Sequence, residues 1–197
     1  MKPAVFLDRD GTLIEERGYL GKLEDIVLLA GTPAALHLLR DAGYALVLVT
    51  NQAGVARGFF DEAFVREAHR YLASLLASEG IVLDGYYYCP HHPEGVVPAY
   101  ARACRCRKPG PGMVEQAARD LDLAVGGSFV VGDKWLDIGL ATNAGARGIL
   151  VRTGYGAGIE DEPPDTARPL AIVDTLLDAA REILRHPTDR GRSGRNN

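Results

Sequence analysis

No apolar run in this chain approaches the ~20 residues that a membrane-crossing helix needs, so no spanning segment is expected. Positive charge is not in excess either: 22 lysines and arginines stand against 26 aspartates and glutamates, a formal net charge of −4. Such a balance gathers neither nucleic acid nor an anionic membrane surface, which points to small molecules as partners; a monomer is expected. The chain passes from Met1-Lys2-Pro3 straight into a short apolar stretch, without the regions of a secretion signal, and the expected location is the cytoplasm. Cysteine is scarce and uneven. Only Cys89, Cys104 and Cys106 occur, and an odd, clustered set in a reducing compartment suits metal ligation better than disulfides.

What the chain does have is alternation. Apolar stretches at 4–7, 45–49, 85–88, 129–131 and 149–151 read as five buried strands of a parallel sheet. Between them, 32–41 carries apolar residues at helical spacing and stops at Gly43, while 61–78 opens on the cap Asp61 and closes at Gly80. Stretches 111–121, 136–143 and 169–184 supply three more helices. The alternation predicts a three-layer, doubly wound, Rossmann-like α/β fold whose ligands sit beyond the C-terminal ends of the strands. A chain of 197 residues has room for one such domain, taken as 1–185, with the polar, Arg- and Gly-rich 186–197 read as a disordered tail. The stretch 89–111 is too long for an ordinary strand-to-helix connection and has no core of its own, so something must order it.

The first strand runs into Asp8-Arg9-Asp10-Gly11-Thr12. Carboxylates two apart on an extended chain project from one side, so Asp8 and Asp10 can face one centre while Gly11 lets the chain turn away. One can attack phosphorus as an anion while the other protonates the leaving alkoxide; alone, Asp-x-Asp reads as readily as a solvated acidic turn. Three later segments favour the chemistry. Thr50-Asn51-Gln52, after the second strand, offers hydroxyl, amide and backbone N–H groups to phosphoryl oxygens. Lys108, beside Arg107, precedes the helix start Pro109-Gly110-Pro111-Gly112, where its cation would neutralise nucleophile and phosphate. Gly132-Asp133-Lys134 ends the fourth strand and places a third carboxylate where Mg²⁺ can bind with Asp8, the Asp10 carbonyl, substrate and water. Asp137, one helical turn on, can orient that metal shell or the lysine. His37, His69 and Trp135 read as structural.

These four segments, in this order and after these strands, closely resemble the haloacid dehalogenase superfamily of phosphatases over about residues 5–151. The resemblance implies Asp8 as nucleophile, Asp10 as general acid and base, Thr50 and Lys108 as stabilisers of the phosphoryl group, and Asp8, Asp10 and Asp133 around Mg²⁺. The cysteine segment adds a second metal. Cys89-Pro90-His91-His92 and Cys104-Arg105-Cys106 present three thiolates and an imidazole, the set that Zn²⁺ takes in closed tetrahedral sites. His92 stands as an alternative to His91, which the family pattern favours; three buried thiols without metal stand as the alternative to the site. Structural zinc would order the 89–108 loop and, because Cys106 lies two residues before Lys108, fix the approach of Arg107 and Lys108.

Within the superfamily, this loop together with the run from Cys106 to Met113, Gly18-Tyr19 and Arg57-Gly58 is similar to the branch that removes the 7-phosphate of heptose 1,7-bisphosphate without a large cap domain. That similarity implies a phosphorylated sugar as substrate, contacted by Arg9, Glu16, Arg17, Gly18, Tyr19, Asn51, Gln52, Ala53, Arg107 and Lys134. A bidentate guanidinium suits the second phosphate, which favours Arg107 for it. Histidinol-phosphate phosphatases share the zinc loop, typically shorter, and the twelve residues between His91 and Cys104 favour the sugar bisphosphate. Outside these enzymes, a phosphorelay receiver also surrounds an aspartate with acids, a Thr and a Lys, but the built-in acid Asp10 and the zinc loop argue against it. A nucleic-acid-end phosphatase needs a basic groove, which arginines scattered as far as Arg190, Arg192 and Arg195 do not supply.

Overall fold

The structure is a computed structural model that describes residues 1–159, 163–165 and 168–186. Six parallel strands form one sheet in the order β3-β2-β1-β4-β5-β6. They are β1 (Ala4–Leu7), β2 (Ala45–Asn51), β3 (Gly85–Cys89), β4 (Phe129–Gly132), β5 (Arg147–Val151) and β6 (Ala171–Val173). The helices are α1 (Thr32–Asp41), α2 (Glu62–Ser78), α3 (Gly112–Asp120), α4 (Trp135–Ala144), α5 (Gly156–Ile159) and α6 (Leu176–Arg185). No cap domain interrupts them among the described residues, and none of the described helices is long and apolar enough to cross a membrane.

The central strands β1 and β4 are buried throughout, because helices cover both faces of the sheet. Alternate residues go to opposite layers. Val5, Leu7, Leu46, Leu48 and Val131 pack with Leu36, Leu72 and Ala180 of α1, α2 and α6; Ala4, Phe6, Val47 and Val130 pack with Val114 and Leu140 of α3 and α4. This is the three-layer arrangement expected from the alternation. Asp61 caps α2 by accepting from Phe64 N at 2.9 Å, as its position in the sequence suggests.

Two expectations change. The stretch 169–184 is not one helix: Ala171–Val173 forms β6, and α6 begins only after Thr175, whose hydroxyl accepts from Asp178 N at 3.2 Å. The open edge of β5 decides this, since Leu170 N donates to Gly148 O at 2.7 Å and Arg152 N to Val173 O at 2.8 Å. Three apolar residues are too few to show whether their period is 2 or 3.6. The other edge, β3, was predicted as buried, yet Tyr86, Tyr87 and Tyr88 are half-buried on it. Of the tail, 187–197 lies outside the described residues.

His69, on the inner face of α2, carries a consequence for stability. Its ring sits 5.7 Å from both Tyr86 and Tyr88, and its Nε2 has no hydrogen-bond partner. Burial, reinforced by the charge of Arg9, pushes its pKa from 6.5 down to about 3. The folded protein therefore refuses a proton that the unfolded chain takes up. Stability should be intact above pH 6.5 and fall as pH drops from there towards 3, by up to ~1.4 kcal/mol per unit, or roughly 2–3 kcal/mol at pH 4.5. Urea denaturation at a series of pH values should show this limb flattened in His69→Leu; equal slopes in the two proteins would refute it.

Candidate active site

The strand order reverses at β1, whose neighbours are β2 on one side and β4 on the other, and four chain segments meet beyond this point. Asp8 lies one residue past β1, Thr50 near the end of β2 and Asp133 just after β4, while Lys108 arrives from the connection between β3 and α3. Lys108 is buried, with Nζ 2.8 Å from Asp8 Oδ1, 2.6 Å from Asp137 Oδ1 and 3.1 Å from Val49 O, one acceptor for each of its protons. Burial disfavours the ammonium, but Asp137 and Asp8 outweigh it and hold its pKa above the usual lysine value. Asp8 is buried too. Lys108 and Lys134 overcome the effect of burial and keep its carboxyl below the usual range, so Asp8 is an anion.

Asn51 accepts from Lys108 N at 3.0 Å and donates to Lys108 O at 3.3 Å. Its amide, expected to face substrate, is thus taken up in locating the lysine. Asp137 also accepts from Lys134 N at 3.1 Å and lies in one carboxylate cluster with Asp8 and Asp133, a position compatible with either of the two tasks weighed for it. Asp10, with 19% of its side chain exposed, is forked by the Arg9 guanidinium at 3.0–3.2 Å and bonded by Gln52 Nε2 at 3.1 Å.

Asp133 is fully buried, and its Oδ2 accepts from Tyr155 N at 2.9 Å while Oδ1 accepts no hydrogen bond. Burial first, then the negative charge of Asp8, pushes its pKa up to about 7. The nearest cation to Oδ1 is Lys134 Nζ at 3.6 Å, beyond hydrogen-bond distance, so this buried oxygen has room for a closer one. Space around it is tight: a Cβ at Gly11 or Gly154, both at positive φ, would lie 2.2 Å from Asp133 Oδ2. Carboxylate oxygens of Asp8, Asp133 and Asp137 lie within 4.8 Å of one another.

A second cluster sits where β3 ends. The three sulfurs of Cys89, Cys104 and Cys106 are 3.2–3.4 Å apart, and His91 Nδ1 is 3.4 Å from Cys106 Sγ and 3.7 Å from Cys89 Sγ. No disulfide joins them. A tetrahedron with Zn–S bonds of ~2.3 Å has edges of about 3.8 Å, close to these separations. His92 is turned elsewhere, its Nδ1 accepting from Glu94 N at 3.1 Å, so the choice between the two histidines falls on His91.

Comparison with known proteins shows the family. The family described as HAD-hydrolase-like matches residues 105–179. A D-glycero-beta-D-manno-heptose-1,7-bisphosphate 7-phosphatase of Photorhabdus laumondii is 43% identical over 183 residues, 92% of this chain and 95% of its own. The chain belongs to the haloacid dehalogenase-like phosphatases. A D-glycero-D-manno-heptose-1,7-bisphosphate 7-phosphatase of Thermosynechococcus vestitus is 45% identical over 94% of this chain and 97% of its own. The crystal structure of D,D-heptose 1,7-bisphosphate phosphatase from B. bronchiseptica, complexed with magnesium and phosphate, superposes with a TM-score of 0.80 at 33% identity, covering 93% of this chain and 99% of that one.

In this phosphatase the strand ends open into a cleft of about 350 Å³. Of the residues expected to contact substrate, Arg9, Glu16, Gly18, Tyr19, Asn51, Gln52, Ala53, Arg107 and Lys134 border it. Arg17 does not: Gly18 N donates to Glu16 Oε1 at 2.6 Å, and this tight turn sends Glu16 inward and Arg17 outward onto Glu15. Lys134 Nζ reaches Glu16 Oε2 at 3.1 Å and lies 4.7 Å from the centre of the Tyr155 ring; Arg107 donates to His91 O at 3.2 Å. Tyr155, Leu20, Phe60 and Leu136 border the cleft without having been anticipated. Only Tyr155 had a signal, the strand-end glycines of Thr153-Gly154-Tyr155-Gly156. Trp135 is structural, donating to Ile159 O at 2.8 Å.

Proposed function

We propose that this phosphatase removes the 7-phosphate of D-glycero-D-manno-heptose 1,7-bisphosphate. The observation that carries the reading is that one cleft has cations at two places: Lys108 against Asp8, and Arg107 with Lys134 on the walls. A bisphosphate can set one phosphate at each, and the names of the relatives support the same substrate.

In this reading the Asp8 carboxylate attacks the 7-phosphorus, and the bond from phosphorus to the sugar oxygen breaks as the bond to Asp8 forms. Asp10 gives its proton to the departing oxygen. Water then loses a proton to Asp10 and bonds to phosphorus, the Asp8–phosphorus bond breaks, and inorganic phosphate leaves. Thr50 Oγ and Lys108 Nζ hold the phosphoryl oxygens through both steps. Asp133 Oδ1, which accepts no hydrogen bond and lies 3.6 Å from Lys134 Nζ, fits a hard cation, and Asp8, the Asp10 carbonyl and Asp133 would hold Mg²⁺. When bound it supplies charge neutralisation at the phosphoryl group. We further propose that the enzyme acts as a monomer, and in the cytoplasm, where thiolate ligands stay reduced.

The substrate assignment is tested by kcat/KM on heptose 1,7-bisphosphate against histidinol phosphate. We expect the bisphosphate to be favoured by at least about tenfold, or ~1.4 kcal/mol of transition-state discrimination. The opposite preference would replace the substrate and leave the mechanism standing.

Zn²⁺ at Cys89, His91, Cys104 and Cys106 has a positional task here, because Arg107 and Lys108 follow directly on Cys106. Purified enzyme should carry one zinc per chain by elemental analysis. Cys104→Ser should lose the metal and about tenfold or more in kcat/KM. A fully active protein free of zinc would remove this part of the reading.

A further inference from the structure

Arg9 was expected to contact substrate, but its side chain is turned to another task. It is only 2% exposed although it borders the cleft, and its Nε lies 3.2 Å from both oxygens of Asp10. Its Nη2 donates to Asp10 Oδ1 at 3.1 Å and to Gln52 Oε1 at 3.0 Å. Gln52 closes the ring: its Nε2 bonds Asp10 Oδ2 at 3.1 Å and Thr50 Oγ1 at 2.9 Å. The acid is thus tied through Gln52 to the hydroxyl that faces the phosphoryl group.

We propose that Arg9 is the positioning residue of the general acid, its guanidinium and Gln52 together fixing the angle at which Asp10 meets the leaving oxygen. The inference rests on Asp10 being that acid. A free aspartate turns about two side-chain bonds, and proton transfer needs the carboxyl within hydrogen-bond reach of one oxygen atom, on the line the departing alcohol takes. A fork of two nitrogens fixes a carboxylate in its plane as a single donor does not, and a buried fork has few rotamers of its own. When Asp10 carries its proton, one oxygen still accepts from the fork while the O–H is free to face the cleft. As the sugar oxygen leaves phosphorus and Asp8 bonds to it, that proton passes from Asp10 to the sugar oxygen. Arg9 neither gives nor takes a proton.

The consequence separates positioning from binding or folding. A leaving alcohol of high pKa needs the proton, whereas p-nitrophenolate leaves without it. The quantity to measure is kcat/KM, which reports the steps through departure of the alcohol, for a primary sugar phosphate that the wild-type enzyme hydrolyses and for p-nitrophenyl phosphate. Arg9→Gln should lose about 10²-fold on the sugar ester but under about fivefold on the nitrophenyl ester. Partial unfolding lowers both values together, so it cannot imitate a change in their ratio. Gln52→Leu, which breaks the same ring at another point, should shift the ratio in the same direction. Asp10→Asn should show the full leaving-group preference, and adding Arg9→Gln to it should cost less than about threefold more. Equal losses of Arg9→Gln on both esters, or full additivity in the double variant, would overturn the role of Arg9 while leaving Asp10 as the acid. An Asp10→Asn enzyme without leaving-group preference would overturn the acid assignment and the proposal with it.

Discussion

Asp8→Asn is expected to lose turnover by at least about 10⁴-fold while remaining folded. The amide has the shape of the carboxylate and can still accept from Lys108, which lies 2.8 Å away, but it is no nucleophile. Its effect on stability has two opposed parts. Asp8, Asp133 and Asp137 bring carboxylate oxygens within 4.8 Å of one another, and the charge of Asp8 helps to push the Asp133 pKa up to about 7. Removing the charge relieves that repulsion but also removes an anion that Lys108 and Lys134 hold below its usual pKa, so thermal unfolding of the variant should come at a somewhat lower temperature. A variant with wild-type turnover would exclude Asp8 as the nucleophile.

Lys108→Met is expected to damage both stability and activity. Methionine fills much of the same space, yet Asp8 and Asp137 are left buried without the ammonium 2.6–2.8 Å from each. Removing one partner of a buried ionic set typically costs 3–5 kcal/mol, and we expect a loss of about that size. The nucleophile also loses the cation that most strongly favours its charged form, so activity should fall by roughly 10³-fold or more. Adding Asp137→Asn should restore part of the stability, because one stranded charge is removed, but none of the activity. Urea midpoints and steady-state rates on the three proteins separate these effects. Wild-type stability in Lys108→Met would mean that the buried cation is not what holds the two carboxylates.

The part of the site legible in the sequence is the part that repeats at strand ends. Asp8, Thr50 and Asp133 each follow an apolar run long enough to identify as a strand, so the doubly wound fold places them together without knowledge of any contact. The four groups of the cysteine cluster were legible for a different reason: few side chains ligate zinc, and these lie at close spacing. What escaped was set by tertiary contact. Nothing in Asn51 says that its amide will grip the Lys108 backbone, and nothing in Arg9 distinguishes a cation facing substrate from one forked onto its neighbour Asp10. Arg17 was misplaced because one tight turn reversed the side of the chain it occupies. β6 was missed because three residues at a sheet edge are recognised by the open edge they fill, not by their own pattern.

The central claim is a covalent phosphoryl group on Asp8, and trapping it is the most direct measurement. Asp10→Asn should transfer phosphate from p-nitrophenyl phosphate to Asp8, then stall for want of a base to activate water. Rapid acid quench and peptide mass mapping should find one phosphoryl group per chain, on the peptide containing Asp8, together with a matching burst of nitrophenol. A burst with the adduct on another residue, or steady phosphate release with no adduct on any peptide, would contradict it.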